Sequence, residues 1–176
     1  MTPHEWRDVL IKIEPNGKPW ILDGLADAMP RMVEEFGIDT SLRQQHFLSQ
    51  CAHESDHFRT TQEYASGAAY EGRKDLGNTQ RGDGRRFKGR GLIQLTGRAN
   101  YARAALALDR DFIADPEQVE RFPYAADVSG WFWKVNDLNA LADKDDVRAV
   151  TRRVNGGLNG LASRTACLET ARTCIA

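Results

Sequence analysis

Helical periodicity runs through most of the 176-residue chain and constrains its fold more than any other feature. From Ile21 to Phe36, apolar side chains recur at spacings of three and four, which predicts a helix with one broad apolar face. Pro30 should bend this helix and Gly37 should end it. A first helix should begin at Thr2-Pro3-His4-Glu5, a capping box with proline at the first helical position.

Similar start and stop signals mark the later helices. Ser41-Leu42-Arg43-Gln44 is read as a capping box that opens the helix carrying Phe47 and Cys51. The composition is that of an ordinary globular protein, with 41% hydrophobic and 28% charged residues, and no repeat or linker interrupts it. We therefore predict one mainly α domain over residues 1–176, without a second domain. Further helical pattern begins at about Arg98, and after a cap at Asp115-Pro116 it covers Tyr124 to Val135, Lys144 to Val154, and about Leu161 to Ile175.

A polar segment from about Ala65 to Gly91 lacks helical period and is punctuated by seven glycines. A stretch of this length without regular pattern inside a compact domain is usually functional or disordered. Its end, Arg86 to Leu95, fits a short β-hairpin. The prediction is a helical domain with an inserted glycine-rich loop region.

Charge and hydropathy argue against several classes of function. The net charge is −1 and the pI is about 6.4, so no global field attracts nucleic acid or anionic lipid. The first twenty residues hold only the short apolar run Val9-Leu10-Ile11, too little for a signal peptide, and no later stretch approaches a membrane span. We expect a monomer made in the cytoplasm, with no nucleic-acid partner and no stable membrane insertion. The cysteines, Cys51, Cys167 and Cys174, are expected to be reduced thiols.

Glu54 falls on the apolar stripe of its predicted helix, in line with Phe47, Cys51 and Phe58. Partial burial there is expected to raise the pKa of the carboxyl and leave it a proton to donate. Glu63 follows nine residues later in a polar setting and is expected to stay ionised. Two carboxylates in unlike environments suggest hydrolysis of a glycosidic bond. The rival second carboxylates are Asp56, Glu71 and Asp75.

The segment His53-Glu54-Ser55-Asp56-His57 also matches H-E-x-x-H, in which two histidines one helical turn apart hold zinc. The other two histidines lie upstream, so Glu71 or Asp75 would have to serve as the third ligand. The helical positions place His53 and His57 on the polar face, where each is more simply a solvated side chain. A zinc peptidase is therefore an alternative to a hydrolase without metal or cofactor.

Three motifs together resemble glycoside hydrolase family 19, the chitinase family that also contains bacteriophage endolysins. They are Ala52-His53-Glu54-Ser55 with a following glutamate, the segment Gly89-Arg90-Gly91-Leu92-Ile93-Gln94-Leu95-Thr96, and Asn155-Gly156-Gly157. The resemblance extends from about Phe47 to Arg164. It implies a lysozyme-like helical fold and inverting, metal-free hydrolysis of a β-1,4-linked amino-sugar polymer.

Carried over by position, the resemblance implies that Glu54 is the general acid and Glu63 the general base. The hydroxyl of Thr96 would help to hold the attacking water. Simpler structural roles are a helix-end carboxylate paired with an arginine for Glu54, a helix cap for Thr96 and a helix C-terminal turn for Asn155. The implied substrate-binding residues are Gln94, Asn100, Asn155, Arg164 and Tyr64.

Departures from the plant-type chitinases resemble the endolysin branch. The two glutamates are closer in sequence, Gly97 to Tyr101 replaces a tyrosine-rich run, and the signal and disulfides of the plant enzymes are missing. These differences favour peptidoglycan over chitin, with cleavage between N-acetylmuramic acid and N-acetylglucosamine. Such an endolysin would be made in the host cytoplasm and reach the wall after a separate pore opens. The alternatives are a chitinase, the zinc peptidase and a non-catalytic wall-binding domain.

A basic segment precedes and overlaps the second motif. It contains Arg81, Arg85, Arg86, Lys88 and Arg90, with Asp83 as the only acid among them. The simplest interpretation is a solvated run of charges. The functional interpretation is contact with the carboxylates of peptidoglycan lactyl and peptide groups.

Overall fold

The computed structural model describes residues 1–176 and contains nine α-helices, which confirms the predicted mainly α fold. Three short 3₁₀ turns, at Ala68–Tyr70, Lys74–Leu76 and Pro116–Glu120, connect some of them. The helices are α1 (Pro3–Ile13), α2 (Pro19–Phe36), α3 (Ser41–Glu54), α4 (Asp83–Arg86), α5 (Arg98–Leu108), α6 (Tyr124–Val135), α7 (Leu138–Ala142), α8 (Val147–Asn155) and α9 (Leu161–Cys174).

Two of the predicted helix signals are formed as expected, and one is displaced by a residue. The Thr2 hydroxyl accepts from the Glu5 N–H while the Glu5 carboxylate accepts from the Thr2 N–H, so the first capping box is complete. Gly37 ends α2 in the left-handed conformation, with φ of 65°. The cap of α3, however, is Thr40, whose hydroxyl accepts from the Arg43 N–H at 3.3 Å. Ser41 is already helical, because the extended backbone that a cap requires occurs at Thr40.

The helix predicted over Lys144 to Val154 is present as α8, Val147–Asn155, but it begins later than predicted because the Asp146 carboxylate accepts from the Ala149 N–H at 2.9 Å and caps the helix there. The short helix α7 that precedes it was not predicted. Asp115 makes no side-chain cap, and the residues after it form a 3₁₀ turn rather than an α-helix.

The predicted hairpin over Arg86 to Leu95 is absent as a pair of strands. Arg90 and Leu95 form one isolated bridge, and Gln62 forms another with Arg90. The glycine-rich region before it is ordered by side chains that bind its backbone. Glu71 accepts from the N–H groups of Gly82 and Gly84 at 2.6 and 2.9 Å, and these two bonds lower the pKa of its carboxyl.

A single cluster of 36 buried residues forms the core, with α3 packed against α9, α1 against α2, and α2 against α6. The α3–α9 contact brings Glu54, at the end of α3, next to Arg164, which lies in α9 much later in the chain. All three cysteines are free, and Cys51 and Cys167 are buried. None of the nine helices has both the length and the hydropathy needed to cross a lipid bilayer.

Candidate active site

Glu54 is the last residue of α3, and its side chain is 18% exposed. The helix stops there because the Ser55 hydroxyl donates to the Cys51 carbonyl at 2.7 Å and accepts from the Phe58 N–H at 3.1 Å. Asp56, His57 and Phe58 then all adopt positive φ, between 50° and 59°. The buried Phe58 therefore follows the helix rather than extending its apolar stripe, and Glu54 lies at a helix end next to a tight turn.

The guanidinium of Arg164 holds Glu54 from the side of α9. Arg164 is 1% exposed, and its Nη2 donates to Glu54 Oε1 while its Nη1 donates to Gln50 Oε1 at 2.5 Å. Arg164, predicted to bind substrate, is thus buried against the predicted acid. The pairing of Glu54 with an arginine, which the sequence left open, is present in the structure.

Glu63 is positioned by backbone pairing between residues 61–63 and 89–91. Its N–H donates to the Gly89 carbonyl at 3.0 Å, and the Gly91 N–H donates to the Thr61 carbonyl at 2.8 Å. The Tyr70 hydroxyl donates to Glu63 Oε2 at 2.9 Å, and burial together with this bond raises the pKa of Tyr70. The other carboxylate oxygen, Glu63 Oε1, is buried without a partner. Such an oxygen is available to a water or a ligand donor.

Three oxygen atoms converge on Gly89, where a side chain would obstruct them. A Cβ built there would lie 2.9 Å from Gln94 Oε1, 3.3 Å from Thr96 Oγ1 and 3.4 Å from Glu63 Oε2. Carboxylate and amide oxygens only accept hydrogen bonds, so a molecule placed between them must donate. Water and sugar hydroxyl groups are donors of this kind.

Thr96 and its neighbours are held by local hydrogen bonds. The Thr96 hydroxyl donates to the Gln94 carbonyl at 2.9 Å, which leaves its oxygen free to accept. The cap of α5 is Gly97, without a side-chain bond, so the interpretation of Thr96 as a helix cap was wrong. The Asn100 amide donates to the Thr96 carbonyl at 2.9 Å and fixes this segment from within α5.

The remaining predicted residues, Tyr64 and Asn155, are exposed. Tyr64 is 77% exposed, and its hydroxyl donates to Asp56 Oδ2 at 2.8 Å, which links the segment of Glu63 to the turn after Glu54. Asn155 is the last residue of α8, and no hydrogen bond joins its side chain to the other predicted site residues.

Each of the three rival carboxylates is already engaged. Asp56 pairs with Arg59 and Tyr64, and Asp75 pairs with Arg73, a bond that lowers the pKa of Asp75. Glu71 accepts hydrogen bonds from the N–H groups of Gly82 and Gly84. Among these candidates, Glu63 alone has a buried carboxylate oxygen without a partner.

The helical H-E-x-x-H arrangement is not formed. Because α3 ends at Glu54, His57 lies in the left-handed turn rather than one helical turn beyond His53. His53 Nδ1 is 3.0 Å from Ser163 Oγ, whereas His57 Nδ1 is 2.6 Å from Glu14 Oε1. The two imidazoles therefore face different partners, and the interpretation of this segment as a zinc motif was wrong.

Some cations of the basic segment make structural hydrogen bonds, and others are exposed to solvent. Arg90 is 4% exposed and binds Glu120 at 2.6 Å, so it belongs to the interior, which the expectation of a solvated run did not foresee. Arg86 donates to two backbone carbonyls, and Lys88 donates to the Glu63 carbonyl at 3.2 Å. Arg81 and Arg85 are exposed and without a carboxylate partner. Arg81 also borders a surface cavity of about 610 Å³ that contains none of the predicted site residues.

Comparison with known proteins gives the family. A glycosyl hydrolase family 19 domain-containing protein of Haemophilus influenzae is 32% identical to this chain, over 83% of the chain and 86% of that protein. The chain belongs to glycoside hydrolase family 19. An Arabidopsis thaliana endochitinase is 36% identical to this family 19 enzyme over 62% of the chain, which corresponds to 38% of the plant protein. No protein-family model matches the chain.

A solved structure shares the fold of this family 19 enzyme. Chitinase C from Streptomyces griseus superimposes with a TM-score of 0.75 and 23% identity, covering 96% of this chain and 75% of that one. At this identity the likeness shows the fold alone, and it agrees with the expected lysozyme-like family 19 architecture. The family membership makes the protein a glycoside hydrolase.

Some residues of the site could not be found from the sequence. Tyr70 lies seven residues after Glu63 in a segment without periodicity, so no spacing indicated its bond to the carboxylate. Gln50 is buried and binds Arg164, and no sequence motif indicated this contact. Gly89 is part of the Gly89–Thr96 motif, and a glycine in that motif was the available signal that other side chains approach the backbone closely there.

Proposed function

We propose that this family 19 enzyme is a peptidoglycan hydrolase of the endolysin type. It would cleave the β-1,4 bond between N-acetylmuramic acid and N-acetylglucosamine with inversion, and so lyse the bacterial host. The convergence of Glu63, Thr96 and Gln94 oxygens around Gly89 carries this proposal, because it provides a place for a donor such as the attacking water. The protein would act as a monomer, made in the host cytoplasm and released to the wall, without cofactor or nucleic-acid partner.

In this mechanism Glu54 donates a proton to the leaving glycosidic oxygen. Arg164 occupies Glu54 Oε1, so the transferable proton would be carried by Oε2. Glu63 accepts a proton from a water as that water attacks the anomeric carbon from the opposite face. Tyr70 keeps the Glu63 carboxylate in one orientation, with Oε2 near the Gln94 and Thr96 oxygens around Gly89, where the carboxylate can accept the water proton. The products are a new reducing end and a shortened glycan.

The choice of peptidoglycan rests on charge as well as on the endolysin-like sequence features. Peptidoglycan bears lactyl and peptide carboxylates, whereas chitin is uncharged. Lys88 lies beside Glu63, and Arg81 and Arg85 are exposed cations without partners in the same segment. A chitinase is the second candidate, favoured by the match to plant endochitinases.

Substitution of Glu54 by glutamine tests the mechanism. Glu54→Gln keeps the shape and removes the donated proton, so clearing of outer-membrane-permeabilised Gram-negative cells should collapse while the fold persists. Asp56→Asn is the matched control, because Asp56 is two residues away and is engaged by Arg59 and Tyr64. Undiminished clearing by Glu54→Gln would defeat the assignment.

Mass spectrometry of digests separates the candidate activities. The proposal expects fragments of purified peptidoglycan with new reducing ends, whereas a peptidase would release new amino termini. Chitin oligomers are offered in parallel. The double variant Arg81→Gln, Arg85→Gln should lose activity toward peptidoglycan at low salt but retain activity toward any chitin oligomer that is cut. Cleavage of chitin alone would favour the chitinase candidate.

A further inference from the structure

Three potential metal ligands from different parts of the chain meet beside the α3–α9 contact. Glu14 follows the end of α1, His57 lies in the turn after α3, and Cys167 lies in α9. One ligand atom from each lies within 4.8 Å of the other two. Glu14 Oε1 is 2.6 Å from His57 Nδ1 and 3.1 Å from Cys167 Sγ, so the carboxylate is the centre of the cluster.

We propose that Glu14, His57 and Cys167 bind a divalent transition-metal ion of the zinc type. Imidazole nitrogen, thiolate sulfur and carboxylate oxygen are the donors that zinc prefers, and three protein ligands with a water complete a tetrahedron. One carboxylate and one thiolate neutralise the charge of a divalent ion, which suits a half-buried position. The side chain of His57 is 38% exposed and that of Glu14 13%, so an ion can enter from the His57 side.

Without metal, the same three groups satisfy one another through hydrogen bonds to Glu14. Binding would replace these bonds in a defined way. The thiol gives up its proton to solvent, and a neutral imidazole moves its proton from Nδ1 to Nε2, so that one proton is released per ion. Because the thiolate rather than the thiol binds a metal ion, metal affinity should increase with pH.

This site is separate from the discarded H-E-x-x-H interpretation and does not depend on the proposed hydrolysis. It uses His57 but neither His53 nor Glu54. His57 is three residues after Glu54, and Cys167 is three residues after Arg164, so a bound ion would join the two segments that carry the Glu54–Arg164 pair. Because the ion would bind the folded chain and bridge α1, α9 and the turn, it should stabilise the fold.

Cobalt and zinc titrations of the reduced full chain test the proposal. Co²⁺ should bind one ion per chain and give a sulfur-to-cobalt charge-transfer absorption. Zn²⁺ at a hundredfold excess over its dissociation constant should raise the midpoint of thermal unfolding by about 5 to 10 °C. Cys167→Ser should abolish the absorption, whereas Cys174→Ser, in the same helix and outside the cluster, should retain it.

Variants of the two less buried ligands, His57 and Glu14, test the proposal if Cys167→Ser folds poorly. His57→Gln and Glu14→Gln should each weaken Co²⁺ binding at least tenfold, and His53→Gln should leave it unchanged. The proposal is overturned by absence of the thiolate absorption in the native chain, or by its persistence in Cys167→Ser. Loss of binding in His53→Gln with retention in Glu14→Gln would also overturn it.

Discussion

Arg164 and Glu54, 110 residues apart in the chain, form an ion pair where α9 packs against the end of α3. The guanidinium is almost fully buried and also binds Gln50, so one arginine fixes two side chains of α3. The proposed acid therefore depends for its orientation on a residue that does not reach solvent. This relationship leads to the first prediction.

Replacing Arg164 should impair both turnover and stability. Arg164→Met leaves Glu54 and Gln50 without their donor and should lower the free energy of unfolding by about 2 kcal/mol, less than for a fully buried pair because Glu54 touches water. Arg164→Lys keeps the charge but loses the two-pronged contact, so it should fold better and still show a reduced kcat with little change in KM. Urea unfolding and steady-state kinetics measure these effects. Normal turnover in both variants would contradict the positioning role.

Removing the Tyr70 hydroxyl should slow catalysis without unfolding the protein. Tyr70→Phe loses the hydrogen bond to Glu63 Oε2, and a bond to a charged group contributes about 1.5–3 kcal/mol. The expected loss in kcat is roughly 10-fold to 100-fold. Tyr124→Phe is the control, because the Tyr124 hydroxyl has no hydrogen-bond partner and the ring packs on Phe112. Equal kinetics for both variants would show that the Tyr70–Glu63 bond has no catalytic role.

A methyl group at Gly89 should reduce activity far more than stability. Gly89→Ala would place its Cβ 2.9 Å from Gln94 Oε1 and among the oxygens of the proposed water site. Displacement of these groups should reduce turnover roughly 100-fold. Gly72→Ala should behave in the opposite way, since Gly72 has φ of +68° and open space around it, with a stability loss of about 1 kcal/mol and normal turnover. Thermal unfolding and activity assays of the pair distinguish the two effects.

Stability should fall as the pH is lowered through the histidine range, with His46 as one cause. Burial lowers the pKa of His46; Arg172 adds to this shift, and the bond to Asp145 opposes it. Below the unfolded value of about 6.5, the unfolded chain binds a proton that the folded chain resists, so folding is increasingly disfavoured. His46→Gln should flatten the dependence of the free energy of unfolding on pH between about 7 and 5. The exposed His4→Gln serves as control and should leave that slope unchanged; an unaltered slope in His46→Gln would refute the assignment.

The helices were the most predictable part of the protein. Apolar spacing and capping residues are local, and they correctly indicated α2, α6 and α9 with ends close to those observed. The cap of α3 was misplaced by one residue because Thr40 and Ser41 are neighbours of types that both cap helices. The predicted hairpin did not form for a different reason. Residues 89–91 pair with the distant segment 61–63 as well as with Leu95, and a local pattern cannot show that pairing.

Local sequence patterns were enough to predict the helical class, the motif glutamates and the resemblance to family 19, because periodicity and motif spacing depend on residues close together in the chain. The folded arrangement was needed to show that Arg164 binds Glu54, that Tyr70 binds Glu63, and that three oxygens face Gly89. Those contacts join segments whose separation depends on how helices pack and how a glycine-rich loop closes. The energy of such packing is summed over the whole core, so no local sequence pattern predicts these contacts.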